Sequence, residues 1–473
     1  MAGKTSTSLS AAILVLGALA FSCSKAPGTK HLPPRTDILL ITVDTLRPDH
    51  LGCYGYRRAT SPRIDALARE GAVFEQAFTF WPKTRASFVM IHTGRTAAES
   101  GYSPSQPRLL PFNPTLAGLL KDAGYETAAI VDNANVAASL GYAKGFASYE
   151  EVWEEPGVKT EMDGTKAITR GAVRFLKAPH QGPFFLWLHY VNPHAPYTPP
   201  PPNDIAFLDE EARSGPRLRV VAGFHGGIPR PLFVPGQRTL AYYVAQYDGE
   251  IRTVDAEVGE VLDALSASRF RDLTAVVFAS DHGESLGDHD YYFDHGEDLF
   301  DSCLRIPLIL RVPGAPRGTR VPDLASTLDL LPTLLSIGEV LPPPGLAGKS
   351  VLPSIQRGKT LRGNRLFAQN DRGLSATWDE RFKLVEGPAP TSGDPQEAFY
   401  DRLSDPRETA DASLTYPKER EVARRQLDFF LARQNQERAA LLRLVEKAPG
   451  PERMTPEACE RLRALGYVQE CTP

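Results

Sequence analysis

The run Asp37–Val43, DILLITV, shows no alternation between apolar and polar positions across its middle. Side chains of a strand point to opposite faces with a period of two, so such a run needs apolar cover on both sides. That is the setting of a strand inside a largely parallel sheet. Further runs of this kind occur at 125–131 (YETAAIV), 183–191 (PFFLWLHYV), 273–280 (LTAVVFAS) and 306–312 (IPLILRV). Between them lie amphipathic stretches with helix start and stop signals. In 61–71, Ser61 is placed to cap, Pro62 to open the first turn and Gly71 to stop the helix. The spacing predicts further helices over 113–124, 165–178, 239–268 and 324–338. Strands alternating with helices define an α/β fold: a mostly parallel sheet with helices on both faces.

A chain of 473 residues has room for more than one domain. The stretch Pro342–Lys349, PPPGLAGK, marks the end of a main domain over 37–340. After it come short strand candidates, NRLFAQN, LSATWDE, FKLVEG and EAFYDRL, then a helix over 417–446. Together they predict a small antiparallel α+β subdomain over 341–446 and a tail over 447–473. The Pro-, Gly- and Arg-rich segment 198–238 has little periodicity and is expected to form a lid or pocket wall.

Residues 1–36 read as an export signal and tether. Lys4 precedes an apolar run over 11–21, AAILVLGALAF, too short to span a bilayer comfortably, and Cys23 comes just after it. Two processing outcomes stand open: lipidation of Cys23 within LAFSC, or ordinary cleavage after Ala20. Either exports the mature chain, as a periplasmic or outer-membrane lipoprotein or as a secreted protein, with the lipid anchor as its only membrane attachment. The net charge of -4 carries no long single-sign run, which argues against a nucleic-acid groove or a polybasic patch. The five cysteines, 23, 53, 303, 459 and 471, form no CxxC pair and no zinc-type spacing. Cys459 and Cys471 are candidates for a bridge, and Cys53 and Cys303 for buried free thiols.

Ligands of an open parallel sheet bind outside the carboxyl ends of its strands. Asp44 ends the first strand, His189, Asn192 and His194 surround the end of 183–191, and Asp281-His282 end 273–280. The latter open SDHGESLGDHDYYFDHGEDLF, with three His, at 282, 289 and 295, and five Asp. Carboxylates mixed with imidazoles suit zinc or manganese, whereas an all-oxygen set suits calcium or magnesium. His189 and His194 are candidates to hold an anionic ester oxygen, to protonate a leaving alkoxide, or to ligate a second cation. Asp44 is either a metal ligand or a cap for the turn after it. Within FWPKTRASFVMIHTG, Thr84 stands where a helix over 85–93 begins, as a cap or as a nucleophile.

LLITVDTLRPDHLGCYGY, TRASFVMIHTGR, LHYVNPHAPY and ASDHGE, in this order, resemble the sulfatase family of the alkaline phosphatase superfamily. FYDRLSDPRET and LRALGYV look like the C-terminal part of bacterial members. The resemblance implies an alkaline-phosphatase-like catalytic domain in which Asp44, Asp281 and His282 bind a divalent metal. It also puts Thr84 at the nucleophile position, ten residues before Gly94. Most sulfatases carry Cys or Ser there in a Cys/Ser-x-Pro-x-Arg pattern, oxidised to formylglycine. Here Ala86 and Phe88 replace the Pro and Arg, and Thr is not a substrate for that oxidation. Thr45 replaces a second metal-binding Asp. The resulting metal set, Asp44, Thr84, Asp281 and His282, is similar to those of phosphonate monoester hydrolases and Thr-dependent phosphoethanolamine transferases. In the transferases, extra His residues match His189, His194 and His295. The implied activity is metal-dependent hydrolysis of sulfate or phosphate esters through a metal-bound Thr84 and a covalent intermediate. Manganese or zinc is favoured over calcium, and a small-molecule, glycan or lipid ester is the expected substrate. Phosphodiester or phosphonate hydrolysis, phosphoryl transfer, and a binding-only role are the alternatives. Lys383 has two readings, a residue facing the site or a salt-bridged surface lysine.

Overall fold

The computed structural model describes residues 36–357, 365–388, 395–450, 453–465, 467–468 and 470–471, with Met1 and Gly3. The export segment and Cys23 lie outside these residues. The chain divides into Met1–His31 and Leu32–Pro473, and the sheets and helices named here belong to the second unit. Among the described residues no helix is long and apolar enough to cross a membrane.

The main sheet has nine strands: β1 (Asp37–Val43), β2 (Ala72–Phe78), β3 (Glu126–Val131), β4 (Ser148–Glu151), β5 (Phe184–Tyr190), β6 (Thr274–Ser280), β7 (Arg305–Ile306), β8 (Leu308–Arg311) and β9 (Thr319–Ser326). Their order is β7–β2–β8–β6–β1–β5–β3–β4, with β9 paired to β2. β1 lies between β5 and β6, parallel to both and buried along its whole length. Its side chains divide by parity. Ile38 and Leu40 join a core with Trp187 and Val277, while Leu39, Ile41 and Val43 join a second core with Leu188 and Phe278. This is why the run lacks polar alternation.

Helices cover both faces: α1 (Pro62–Glu70), α2 (Thr84–Thr93), α3 (Leu116–Asp122), α4 (Glu161–Lys177), α5 (Leu240–Ala267) and α6 (Leu330–Ile337). Phe88, Leu120 and Leu334 place α2, α3 and α6 against the first core. Ile64, Ile168 and Val254 place α1, α4 and α5 against the second.

Three strands, β2, β4 and β9, escape the hydrophobic pattern. Glu75 and Gln76 interrupt β2, and Pro322 and Asp323 interrupt β9, whose register shifts between Val321 and Leu324. The helix expected over 324–338 begins only at Leu330, because Leu324–Ser326 complete β9 beside β2. The run 306–312 is not a parallel strand. It divides between β7 and β8, and β8 is antiparallel to both β6 and β2. Segment 198–238 carries short pieces of its own, a helix at Glu210–Ser214 and a two-stranded ribbon of Val220–Val221 with Ile228–Pro229.

A separate antiparallel sheet comes next, of β10 (Leu366–Gln369), β11 (Ser375–Trp378), β12 (Phe382–Pro388) and β13 (Pro395–Asp401). Helix α7 (Pro417–Lys447) packs Ala423 and Leu427 against Leu384 and Phe399 of this sheet. Lys383 does not face the expected site. It is fully buried, and its Nζ pairs with Asp301 Oδ1 at 2.9 Å and Glu408 Oε1 at 2.7 Å. A buried ammonium requires such partners. Helix α8 (Pro456–Ala464) lies near the chain end, with Cys459 bonded to Cys471, while Cys53 and Cys303 are free.

The start of α1 departs from expectation. The Ser61 hydroxyl does not cap the helix. It donates to Asp65 Oδ1 at 3.0 Å and accepts from the Gly52 amide at 2.9 Å. The open amides of Arg63 and Ile64 instead donate to Asp255 of α5, at 3.0 and 2.8 Å. Loss of a capping oxygen costs about 1 kcal/mol, so Asp255→Ala is expected to lower the urea-unfolding free energy by about that amount. Burial raises the Asp255 carboxyl to about 7, above the unfolded value of about 3.9. A raised folded pKa adds stability at low pH that is lost as pH climbs through the folded value. Asp255→Asn removes that slope, so urea midpoints at pH 5 and pH 8 should shift in the variant's favour at the higher pH.

Candidate active site

Neighbouring parallel strands deliver their end residues side by side. β1 ends in Asp44 and β6 in Asp281-His282, with Val43 opposite Ser280. The Ser280 hydroxyl links the two ends. It lies 2.7 Å from the Val43 carbonyl and 2.6 Å from the His282 carbonyl, and it accepts from the Leu46 amide at 3.0 Å. Ligand atoms of Asp44, Asp281 and His282 consequently gather within 4.8 Å of one another, all three residues being fully buried. His282 Nε2 lies 3.6 Å from Asp44 Oδ1 and 3.4 Å from Asp281 Oδ2.

The donor chemistry fits a divalent cation. Asp44 Oδ1 and Asp281 Oδ2 have no hydrogen-bond partner among the described residues. The Nδ1–H of His282 donates to the Gly283 carbonyl at 2.9 Å, which leaves the Nε2 lone pair free, as in ligating histidines. Asn133 Nδ2 donates to the other Asp44 oxygen at 2.5 Å and orients that carboxylate. Burial, then the negative charges of Asp281 and Glu284, push the Asp44 carboxyl well above the usual range. Burial lifts Asp281 to about 7 and lowers His282 to about 4. Each penalty falls on the charged form of its group, and a bound cation reverses it for the two carboxylates.

Thr45 comes directly after Asp44 with a φ of 52°, costly for a β-branched residue. This conformation aims its amide at the Asp281 carboxylate and its carbonyl at the Tyr247 hydroxyl, 2.8 Å away.

Thr84 is the first residue of α2, and Lys83 holds the cap position. The Thr84 hydroxyl is therefore not a cap. It lies 3.2 Å from His282 Nε2, at the positive end of the helix. The Ser87 hydroxyl donates to the Asp281 carbonyl at 2.8 Å and joins α2 to the end of β6.

His194 and His295 reach the same cluster. Their ring centroids are 5.2 Å apart, and that of His295 is 4.2 Å from His282. His295 Nδ1 faces Glu284 Oε2 at 3.2 Å. His189 sits deeper in the sheet. Its Nδ1 bonds Thr42 Oγ1 at 3.1 Å, its ring packs on Phe88 and Trp187, and burial lowers it to about 3. His289, from the same motif, stacks on Phe300 instead. Two further residues join the cluster. Asn133 lies just past the carboxyl end of β3, so the strand-end rule applied to that strand points to it. Tyr467 comes from the LRALGYV stretch, whose resemblance to bacterial members marks the segment and not its contact with the site; its hydroxyl lies 2.9 Å from His194 Nε2 and 3.3 Å from His295 Nε2.

A mostly parallel sheet with a buried Asp–Asp–His cluster at its carboxyl edge, beside a helix-start Thr, defines an ester hydrolase of the alkaline-phosphatase-like superfamily. A family model described as Sulfatase matches residues 36–340, and the chain belongs to that family. It is 27% identical over 427 residues to the uncharacterized sulfatase YidJ of Escherichia coli, covering 79% of this chain and 82% of that one. It is 25% identical over 434 residues to a delta 4,5-hexuronate-2-O-sulfatase of Bacteroides thetaiotaomicron, covering 82% and 85%. Among solved structures, the phosphonate monoester hydrolase of Agrobacterium radiobacter superposes with a TM-score of 0.68 at 21% identity, covering 85% of this chain and 96% of that one.

Removal of the metal gives a direct check. Manganese or zinc added to chelator-stripped protein is expected to raise its melting temperature. Binding at 100 times Kd adds about 2.7 kcal/mol to the folded state. Asp44→Ala and Asp281→Ala should each abolish the gain, read by differential scanning fluorimetry.

Proposed function

We propose that the protein hydrolyses phosphate-type esters, monoesters, diesters or phosphonates, through attack by the Thr84 hydroxyl and a covalent intermediate on that oxygen. The observation that carries this reading is Thr84 Oγ1 at 3.2 Å from His282 Nε2, against the Asp44–Asp281–His282 cluster. A divalent cation held there by two carboxylates and an imidazole, a set that suits manganese or zinc, supplies Lewis acidity to the hydroxyl and to the anionic ester oxygens.

The protein's own groups account for the remaining work. The N-terminus of α2 favours negative charge on Thr84. In their imidazolium form, with a proton on Nε2, His194 and His295 are assigned to the oxygens of the transferred group and to protonation of the departing oxygen. His189, a layer deeper, is assigned to support the end of β5. A formylglycine hydrate would carry a second hydroxyl on the same carbon, able to expel the bound group as the aldehyde re-forms. Thr84 has no such hydroxyl. The bond formed at Thr84 is therefore broken by a second attack at the central atom, with water as acceptor. This weakens the case for sulfate.

Sulfate esters remain a second reading, favoured by the hexuronate sulfatase relative. The substrate is proposed to be a glycan, lipid or other small-molecule ester met outside the cytoplasm, with the domain over 37–340 catalytic. The test uses aryl phosphate, bis-aryl phosphodiester and aryl sulfate with metal-loaded protein. Thr84→Ala should lower kcat/KM for the preferred ester at least 100-fold, equivalent to about 3 kcal/mol. Thr84→Ser should retain part of the activity. Full activity in Thr84→Ala would reject the nucleophile, and preference for aryl sulfate would reverse the substrate assignment.

A further inference from the structure

Helix α8 is docked firmly. Ala458 and Leu462 are buried in the core with Val136 and Trp153, and Arg461 pairs with buried Asp132 at 2.5 Å. The Cys459–Cys471 bond ties the chain end back to α8, so Tyr467 rides on a short, covalently closed loop. The Nδ1–H of His194 is engaged by the Ala195 carbonyl, at 2.5 Å. The Tyr467 hydroxyl consequently donates to His194 Nε2, at 2.9 Å. The same oxygen lies 3.3 Å from His295 Nε2, and the Thr84 side chain stands near enough to act on the Tyr467 hydroxyl.

These contacts have a steric consequence. An ester reacting at Thr84 must bring its central atom to Oγ1 and its oxygens to His194 and His295. The Tyr467 hydroxyl bonds both histidines beside Thr84, so it stands in the volume that the transferred group takes. With the loop in place, Thr84 is 2%, His194 5% and His295 4% exposed. Substrate therefore has no open approach while Tyr467 is seated.

We propose that Tyr467 is a resident occupant of the ester site, displaced when a phosphate-type ester binds, so that every ligand must outcompete it to reach Thr84. This rests on the reading of Thr84 as the attacking residue. Displacement requires Tyr467 and Val468 to swing away while α8 stays docked. The apparent affinity of any ester is lowered by the fraction of molecules with Tyr467 seated. An anionic oxygen has no hydrogen to give the His194 Nε2 lone pair, so it takes the phenol's place there only when that imidazole carries a proton on both nitrogens. A phosphate-type ester nonetheless brings several oxygens where the phenol brings one, and it competes with the phenol for the whole volume.

Full-length, metal-loaded protein tests this with Tyr467→Phe and Tyr467→Ala. The Phe variant keeps the ring and its packing while deleting the hydroxyl's contacts with His194 and His295. KM for an aryl phosphate is expected to fall at least five-fold in the Ala variant and by less in the Phe variant, with kcat held or raised. Inorganic phosphate, titrated by calorimetry, should bind Tyr467→Ala at least five-fold more tightly than wild type. Saturating phosphate should speed amide exchange at Tyr467 and Val468 in the wild type. A fall in kcat at unchanged KM in Tyr467→Phe overturns the proposal, because the hydroxyl then serves the chemistry. Equal phosphate affinity in wild type and Tyr467→Ala also overturns it. The phosphate comparison repeated in a Thr84→Ala background needs no turnover, so failure of the nucleophile assignment is separable from failure of the occupant.

Discussion

Two carboxylates, Asp44 and Asp281, are buried within 4.8 Å of one another, and among the described residues no Lys or Arg side chain is bonded to either. Like charges at that separation repel by about 3–4 kcal/mol at an effective dielectric of 20, before desolvation is counted. A fold accepts such an arrangement only where something else fixes it. Here the backbone does so. β1 and β6 are adjacent parallel strands at the centre of the sheet, buried on both faces, and neither end can retreat without opening a core. The Ser280 hydroxyl and the strained Thr45 then hold the two ends in register. The electrostatic cost at the site is borne by the hydrophobic stabilisation of the sheet, and a cation is the charge that offsets it.

The position of Thr84 is set by the same constraint. An N-cap residue spends its side-chain oxygen on the first free amides of its helix. By standing one place further in, with Lys83 as the cap residue, Thr84 keeps its hydroxyl unspent and still lies at the positive end of α2. Capping and nucleophilic attack thus fall to different positions. The tie from Ser87 to the Asp281 carbonyl sets the helix start against the acidic cluster, so that helix and sheet edge hold one geometry.

How much the sequence made legible depends on the physics of each element. Both faces of β1, β5 and β6 are apolar, and unbroken apolar runs announce them. β2 and β9 carry Glu75, Gln76, Pro322 and Asp323 on strands whose pairing is decided by distant neighbours, so no local period reveals them. Asp44, Asp281 and His282 were readable because strand ends are fixed by topology. Asn133 obeyed the same rule but was hidden by a short polar run after β3. The missing cap at Ser61 was unreadable, because its replacement, Asp255, lies 191 residues from the Ile64 amide it accepts. Of the two readings of Lys383, the ion pair holds and the surface position does not, because the two carboxylates that claim it, Asp301 and Glu408, come from distant segments and hold it in the interior.

Tyr467 shows where local reading ends altogether. The LRALGYV stretch resembles the C-terminal part of bacterial members, yet nothing in it says that its tyrosine reaches His194 and His295 at the sheet edge. That is decided by contacts that accumulate along α8: an apolar face with Ala458 and Leu462, a guanidinium whose partner is the buried Asp132, and a covalent tie from Cys471 to Cys459. Each alone is an ordinary way to end a chain. Together they leave few places for residue 467 to stand, and that place is already the one where polar groups converge. A sheet edge that gathers unmet polar atoms draws in whatever hydroxyl the chain can bring to it. The depth of this pocket and the presence of its occupant therefore have one origin.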